Sequence, residues 1–256
     1  MASIGIFDSG VGGFTILKAV HAKVPGSSIA YVADQANIPY AAKSADWLIK
    51  RSQVITDYLI QNGCSTIVIA CNTATVSAIG SLRARYPHLQ FVGVEPAIKP
   101  AALHVTSGKI LILATQHTLQ SRRLKALCQR HAGQKSVIFQ DMPEWVTMAE
   151  KGDINSGKVQ AAIAASLLPF KDKNVQAVVL ACTHYPFFKP VIRRVFPQAV
   201  IFDPSLPVAN QVKKLHQDDG SNHPQIILAT TGNVVGFKAA AANLLPFHAK
   251  IQSIVV

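Results

Sequence analysis

Acidic residues are scarce in this chain of 256 residues, 13 Asp and Glu against 25 Lys and Arg, for a formal charge of +12. Such an excess suits either a nucleic-acid binder or a protein whose small substrates are anions. Aromatic residues are also few, at 7%, and none interleaves with the basic clusters at Lys50-Arg51, Arg122-Arg123 with Lys125, Arg193-Arg194 and Lys213-Lys214. Without stacking groups these clusters read as solvated helix faces, and no specific nucleic-acid recognition is expected. No apolar run reaches the roughly 18 residues of a membrane span. The opening MASIGIF lacks the basic, apolar and small-residue order of a signal peptide, so a cytoplasmic protein with reduced thiols is expected. The four cysteines, Cys64, Cys71, Cys128 and Cys182, include no CxxC pair, which argues against a metal site. GxGxxG and the GK[ST] of a phosphate loop are missing too, as is any Gly/Ser linker.

What the chain does have is 49% hydrophobic residues, set out as short apolar runs alternating with longer amphipathic ones. That alternation is the mark of parallel strands joined by crossover helices. Strands are predicted at Ile4–Phe7, Ile29–Ala33, Ile67–Ala70, Phe91–Val94, Ile110–Ala114, Val137–Phe139, Val178–Ala181, Val200–Phe202 and Ile226–Ala229. Between the second and third, Ser44–Gln61 carries Leu48, Ile55 and Leu59 at helical spacing, with Trp47, Val54 and Tyr58 widening the same face. The fold class is α/β. Two proline-bracketed passages, VEPAIKP and FDPSLP, are candidate crossings, and they divide the chain into one half of residues 1–95 plus 207–256 and another of residues 96–206.

Two strand tips repeat one device. IVIACNTAT delivers Cys71 and VVLACTHYP delivers Cys182, one in each half. In open parallel sheets, ligands bind at the carboxyl ends of strands, where helices begin. Unpaired amide dipoles there favour an anion, which predicts lowered thiol pKa values at Cys71 and Cys182. The opening strand ends in DSGVGG, where Asp8 and Ser9 precede glycines whose amides can approach a carboxylate. Asp8 alone reads as a helix cap, and Cys64 and Cys128, which follow no strand, as small buried hydrophobes. Cys182 with His184 could form the nucleophile pair of a one-thiol hydrolase. Two thiols in matched settings, with Asp8 and His184 as companions, suit instead the removal of a proton from one face of a carbon and its return to the other. That is racemisation or epimerisation.

DSGVGG, IPYAAKS, ACNTA, VEPA and ACTHYP, in this order over nearly the whole chain, resemble the glutamate racemases of the aspartate/glutamate racemase superfamily. The resemblance implies two similar α/β lobes, each a mainly parallel sheet flanked by helices, with the active site in the cleft between them and no cofactor. It implies that Cys71 takes the α-proton of D-glutamate and Cys182 that of L-glutamate, assisted by Asp8, His184 and Glu150, and that D-glutamate is supplied for peptidoglycan. Ser9, Tyr40, Asn72, Thr73, Thr115, Thr118 and Thr183 fall on positions that hold the substrate. Pro39-Tyr40-Ala41 stands where the family usually has PYG. A positive φ at Ala41 would strain it by about 1 kcal/mol, and its methyl group would crowd the distal carboxylate. Glu150, in MAEKGD, also reads as a surface carboxylate. The sequence leaves open whether the protein is a homodimer, and the rival classes are another acidic-substrate racemase, a cysteine hydrolase and a basic nucleic-acid binder.

Overall fold

The computed structural model describes residues 3–216 and 223–256. Its first stretch runs β1 (Ile4–Asp8), α1 (Phe14–Lys23), β2 (Ile29–Ala33), α2 (Ala45–Gln61), β3 (Thr66–Ile69), α3 (Asn72–Arg85) and β4 (Gln90–Gly93). Next come α4 (Ile98–His104), β5 (Lys109–Ala114), α5 (Gln116–Gln120), α6 (Arg122–His131), β6 (Val137–Gln140), α7 (Pro143–Glu150) and α8 (Gly157–Leu167). The chain continues through β7 (Val175–Ala181), α9 (Lys189–Val195), β8 (Val200–Phe202), α10 (Ser205–Leu215), β9 (Ile226–Thr230), α11 (Val234–Leu244) and β10 (Lys250–Ser253).

Among the described residues the strands form two sheets, one ordered β10-β9-β2-β1-β3-β4 and the other β6-β5-β7-β8. Every ladder in them is parallel. Parallel strands need crossovers that cover both faces, so the central strands are apolar on both sides. The two-residue period sorts them: Val68 and Ala70 face a central core, while Ile67, Ile69 and Cys71 face α2 and α3. In β7, Val178 and Leu180 face the same central core, while Ala177, Val179 and Ala181 face α4 and α6. Trp145 and Phe188, both fully buried, fill that central core beside Tyr185. The fold is thus α/β with two lobes, each built on a parallel sheet.

All nine predicted strands form, and β10 is a tenth that the sequence reading missed. In α2, Ser44 caps the first turn by accepting from the Trp47 N–H, and Leu48, Ile55 and Leu59 are buried as predicted. Val54 is not. It is 43% exposed, because Ser52 and Thr56 occupy the inner face that the hydrophobic pattern had assigned to it.

Each sheet reverses its strand order beside its first strand, between β1 and β3 in the larger and between β5 and β7 in the smaller. Crossover helices diverge at such a point and leave a crevice at the strands' carboxyl ends. Asp8 and Cys71 stand at one crevice, Thr115 and Cys182 at the other.

Candidate active site

The crevices open into a single cavity of about 410 Å³. Its wall includes Ser9, Cys71, Asn72 and Thr73 from the larger sheet's side, and Thr115, Cys182, Thr183, His184 and Glu150 from the smaller sheet's side. Pro39, Tyr40 and Ala41 form one edge, on a short 3-10 turn at Tyr40–Ala42.

Cys71 is the N-cap residue of α3, with extended backbone and no hydrogen bond from its side chain into the helix, and the Ala74 N–H and the Ser9 hydroxyl are the nearby groups that favour its thiolate. These donors do not lower its pKa as the sequence predicted. Burial, with the nearby Asp8 charge, pushes the Cys71 thiol well up, since Asp8 is fully buried and an anion beside it lacks solvent. Burial raises the Asp8 carboxyl as well, against the pull of His184, the Gly10 N–H and the Thr183 hydroxyl.

Asp8 does not reach the cavity wall. It sits behind it, accepting from the Gly10 N–H at 2.9 Å and from the Thr183 hydroxyl at 3.0 Å. The second bond crosses between the sheets. Thr118 is likewise withdrawn: fully buried in the first turn of α5, it accepts from the Thr115 hydroxyl at 3.1 Å and does not border the cavity. There it supports Thr115, which also meets the Thr73 hydroxyl across the cleft at 3.0 Å.

On the smaller sheet's side, Cys182 Sγ lies 3.7 Å from His184 Nδ1, and His184 Nε2 lies 2.6 Å from Glu150 Oε1. Burial works against the imidazolium, but its bonds to Cys182 and Glu150 hold the His184 pKa well above the ordinary imidazole value. Burial would equally raise Glu150. The partnership with His184, and donors from Gln35 and the Val11 N–H, hold its carboxyl below the usual range. Glu150 is therefore no surface carboxylate, with only 14% of its side chain exposed.

The glycines of DSGVGG do bring amides to carboxylates, and the carboxylates are the protein's own. The Gly10 N–H meets Asp8, and the Val11 N–H donates to Glu150 Oε1 at 2.8 Å. A Cβ at Gly10 would fall 2.0 Å from that same oxygen. Ala41 carries no strain of the kind anticipated, since Asn174 is the sole described non-glycine residue with positive φ. Cys64 is buried and its thiol pushed up to about 12 by burial; Cys128 is half-buried, and neither borders the cavity.

Sequence reasoning missed several wall residues, including Ile38, Asp141, Pro143, Val146 and Thr147. A signal for three of them existed: Pro143, Val146, Thr147 and Glu150 follow the i, i+3, i+4, i+7 spacing of one helical face, so the register of α7 carries them to the cavity together with Glu150. One further polar group stands out. Asn72 is 2% exposed, yet neither its amide oxygen nor its nitrogen has a protein partner, although it borders the cavity. Burying such atoms unpaired costs about 1–3 kcal/mol each, a cost that a polar ligand relieves. Among the described residues no cluster of His, Cys, Asp and Glu could hold a metal ion, and no helix is long and apolar enough to cross a membrane.

A family model for the Asp/Glu/Hydantoin racemases matches residues 15–212. A glutamate racemase of Pseudomonas aeruginosa (strain UCBPP-PA14) is 40% identical over 215 residues, 84% of this chain and 81% of the relative. The crystal structure of a glutamate racemase isoform from Bacillus anthracis superposes with a TM-score of 0.84 at 26% identity, over 100% of this chain and 98% of that one. The glutamate racemase from Francisella tularensis subsp. tularensis SCHU S4, in complex with D-glutamate, gives 0.84 at 26% identity, over 99% and 97%. With sheets, switch points and paired thiols laid out in this way, the chain belongs to the Asp/Glu/Hydantoin racemase family.

Proposed function

We propose that this chain interconverts L- and D-glutamate in the cytoplasm without a cofactor, supplying D-glutamate for peptidoglycan, with Cys71 and Cys182 acting on opposite faces of the α-carbon. The observation that carries the proposal is convergence: two thiols leave separate sheets at their switch points and border one cavity. The relatives named for glutamate racemisation support the substrate. We assign the two structural units to residues 1–95 plus 207–256 and to residues 96–206; residues 1–2 and 217–222 of the first lie outside the described residues.

In one direction a Cys182 thiolate takes the α-proton of L-glutamate, and the C–H electron pair passes into the adjacent carboxylate. Cys71, kept as a thiol by burial and Asp8, returns a proton to the opposite face and gives D-glutamate. The cycle leaves a Cys71 thiolate and a Cys182 thiol, the pair needed for the reverse reaction. The carbanion-like state is the costly one, and the Asn72 amide, which borders the cavity with no protein partner, is a donor already in place to stabilise its charge. His184 serves Cys182 as proton partner, with Glu150 holding its far nitrogen. The line Cys182–His184–Glu150 also favours a second reading, a hydrolase with one working thiol.

One experiment separates the two. Purified enzyme should abolish the circular dichroism of an L-glutamate solution, and replacement of either cysteine by serine should stop this. Elimination of HCl from 3-chloroglutamate needs only one base, because the electron pair freed at the α-carbon forms a double bond as chloride leaves. Cys71→Ser should therefore retain elimination from the L-configured analogue alone, and Cys182→Ser from the D-configured one alone. Loss of both activities in one variant and retention of both in the other would overturn the two-base assignment and favour the hydrolase.

A further inference from the structure

Gln35 belongs to none of the sequence motifs assigned to the site, and it does not border the cavity. It lies half-buried on a 3-10 turn after β2, on the larger sheet's side, yet its side chain ends on the smaller sheet's catalytic carboxylate. Gln35 Nε2 donates to Glu150 Oε2 at 2.7 Å. At its other end Oε1 accepts from the Thr230 hydroxyl at 2.9 Å, at the end of β9, and Thr230 Oγ1 in turn accepts from the Gly232 N–H at 3.0 Å.

This chain of bonds has one polarity. A hydroxyl proton points at the Gln35 oxygen, and the Gln35 N–H points at a carboxylate, so reversing the amide would set an oxygen against the Glu150 charge. Gly232 lets the β9 end approach closely, since a Cβ there would come within 2.8 Å of Gln35 Cβ. Glu150 is thereby met by three donors on its two oxygens: Val11 N–H and His184 Nε2 on Oε1, and Gln35 on Oε2. A buried carboxylate with its lone pairs so engaged stays ionised and fixed in direction. His184 faces Glu150 on one nitrogen and Cys182 on the other, with Asp8 within electrostatic reach. What fixes Glu150 therefore also fixes the proton on His184 and the partner offered to Cys182. Among the described residues Gln35 has no such connection to Cys71, where Ser9 and the Ala74 N–H are the groups that favour the thiolate.

We propose that Gln35, oriented by Thr230, is a positioning residue for the Cys182 half of the reaction, acting through Glu150 and His184. The proposal rests on the reading of Cys182 and Cys71 as opposed bases. It makes the two halves separable by a residue that touches neither thiol. It also makes the Cys182 half depend on a bond from the larger sheet's side to the end of α7, so that this half is complete only when the two sides of the cavity meet.

Racemisation itself cannot reveal such asymmetry, because enantiomers in water have an equilibrium constant of one and kcat/KM must match in the two directions. Elimination from the 3-chloroglutamates can. Gln35→Met keeps the length and removes both hydrogen bonds. It should slow elimination from the L-configured analogue about tenfold, the effect of one pKa unit or one charge-assisted bond, and leave the D-configured analogue within about twofold. With the imidazolium less supported, the alkaline limb of the pH profile for the L-configured analogue should move to lower pH, while that of the D-configured one stays. Thr230→Val, which removes only the orienting hydroxyl, should act in the same direction by about threefold. Equal slowing of both analogues, or no slowing of either, in folded variants overturns the role of Gln35. Failure of the crossed cysteine pattern in the parent enzyme overturns instead the two-base reading on which the role depends.

Discussion

At Gly10 a single methyl group decides whether Glu150 can reach its site. A Cβ there would lie 2.0 Å from Glu150 Oε1 and 2.6 Å from Ile38 Cδ1, both far ends of side chains that can swing away. Gly10→Ala should therefore fold, losing about 1 kcal/mol of stability, while Glu150 is driven off the Val11 N–H and His184. Displacing a positioning group by an ångström or so costs about 100-fold in rate, and kcat/KM for glutamate should fall by that order while the thermal midpoint moves only a few degrees. A variant within about threefold of the parent would show that the Glu150 contact is not needed. The residue scale is also where the sequence was most legible: Cys71, Cys182, Ser9 and Thr183 could be located from strand tips alone. It was least legible where function depends on partners distant in the chain. Nothing local to MAEKGD says that Glu150 is buried, because the groups that bury it, Val11, Gln35 and His184, come from three other segments.

Among the elements, the strands were legible because burial on both faces leaves uninterrupted apolar runs. The exception, β10, is an edge strand of sequence KIQS with no fully buried residue, so neither apolar content nor alternation marks it. In α2 the hydrophobic pattern misled at Val54 because Ser52 and Thr56 take the buried face, Thr56 with its hydroxyl donating to the Ser52 carbonyl at 2.7 Å. The same helix reaches the site through Arg51. Its guanidinium takes Asp34 in a two-pronged grip, at 2.8 Å and 2.6 Å, and Asp34 accepts the Tyr40 hydroxyl at 2.7 Å, fixing one edge of the cavity. Burial would raise the Asp34 carboxyl, but Arg51, Tyr40 and Asn37 together hold it below its ordinary value of 3.8. A folded-state pKa below the unfolded one stabilises the fold above the unfolded value, and the gain is lost as pH falls through the folded value. Arg51→Met should accordingly cost about 3–5 kcal/mol near pH 7, by leaving a buried carboxylate without its cation. The gap to the parent should narrow as pH falls, first as Asp34 protonates in the folded variant, where burial without Arg51 raises it, and close as pH falls through the parent's folded value, which lies below 3.8. Denaturant melts across that range would test it, and a gap independent of pH would remove Asp34 from the account.

At the scale of the whole molecule, polar contacts cross between the sheets at several points around the cavity, among them Asp8 with Thr183, Thr73 with Thr115 and Ser77 with His117 at 2.9 Å. None could be read from the sequence, since each joins residues whose proximity only the two-sheet arrangement creates. The charge could be read, and its consequence differs from that of a nucleic-acid surface. With 25 basic against 13 acidic residues the molecule carries a positive field, and glutamate approaches it with a net negative charge. Such a field acts on encounter and not on a bound proton in transit, and it is screened once the Debye length falls from about 30 Å at 0.01 M salt to well under 10 Å near 0.5 M. Raising salt over that range should lower kcat/KM about two- to fivefold through KM, leave kcat unchanged, and do so equally for L- and D-glutamate, whose kcat/KM values the symmetry of the equilibrium ties together. Stopped-flow or polarimetric rates at fixed pH, with a non-chaotropic salt, would measure it. A fall in kcat of the same size would mean that salt reaches the chemistry inside the cavity, and an unchanged kcat/KM would mean that the excess positive charge lies too far from the cavity mouth to draw the substrate in.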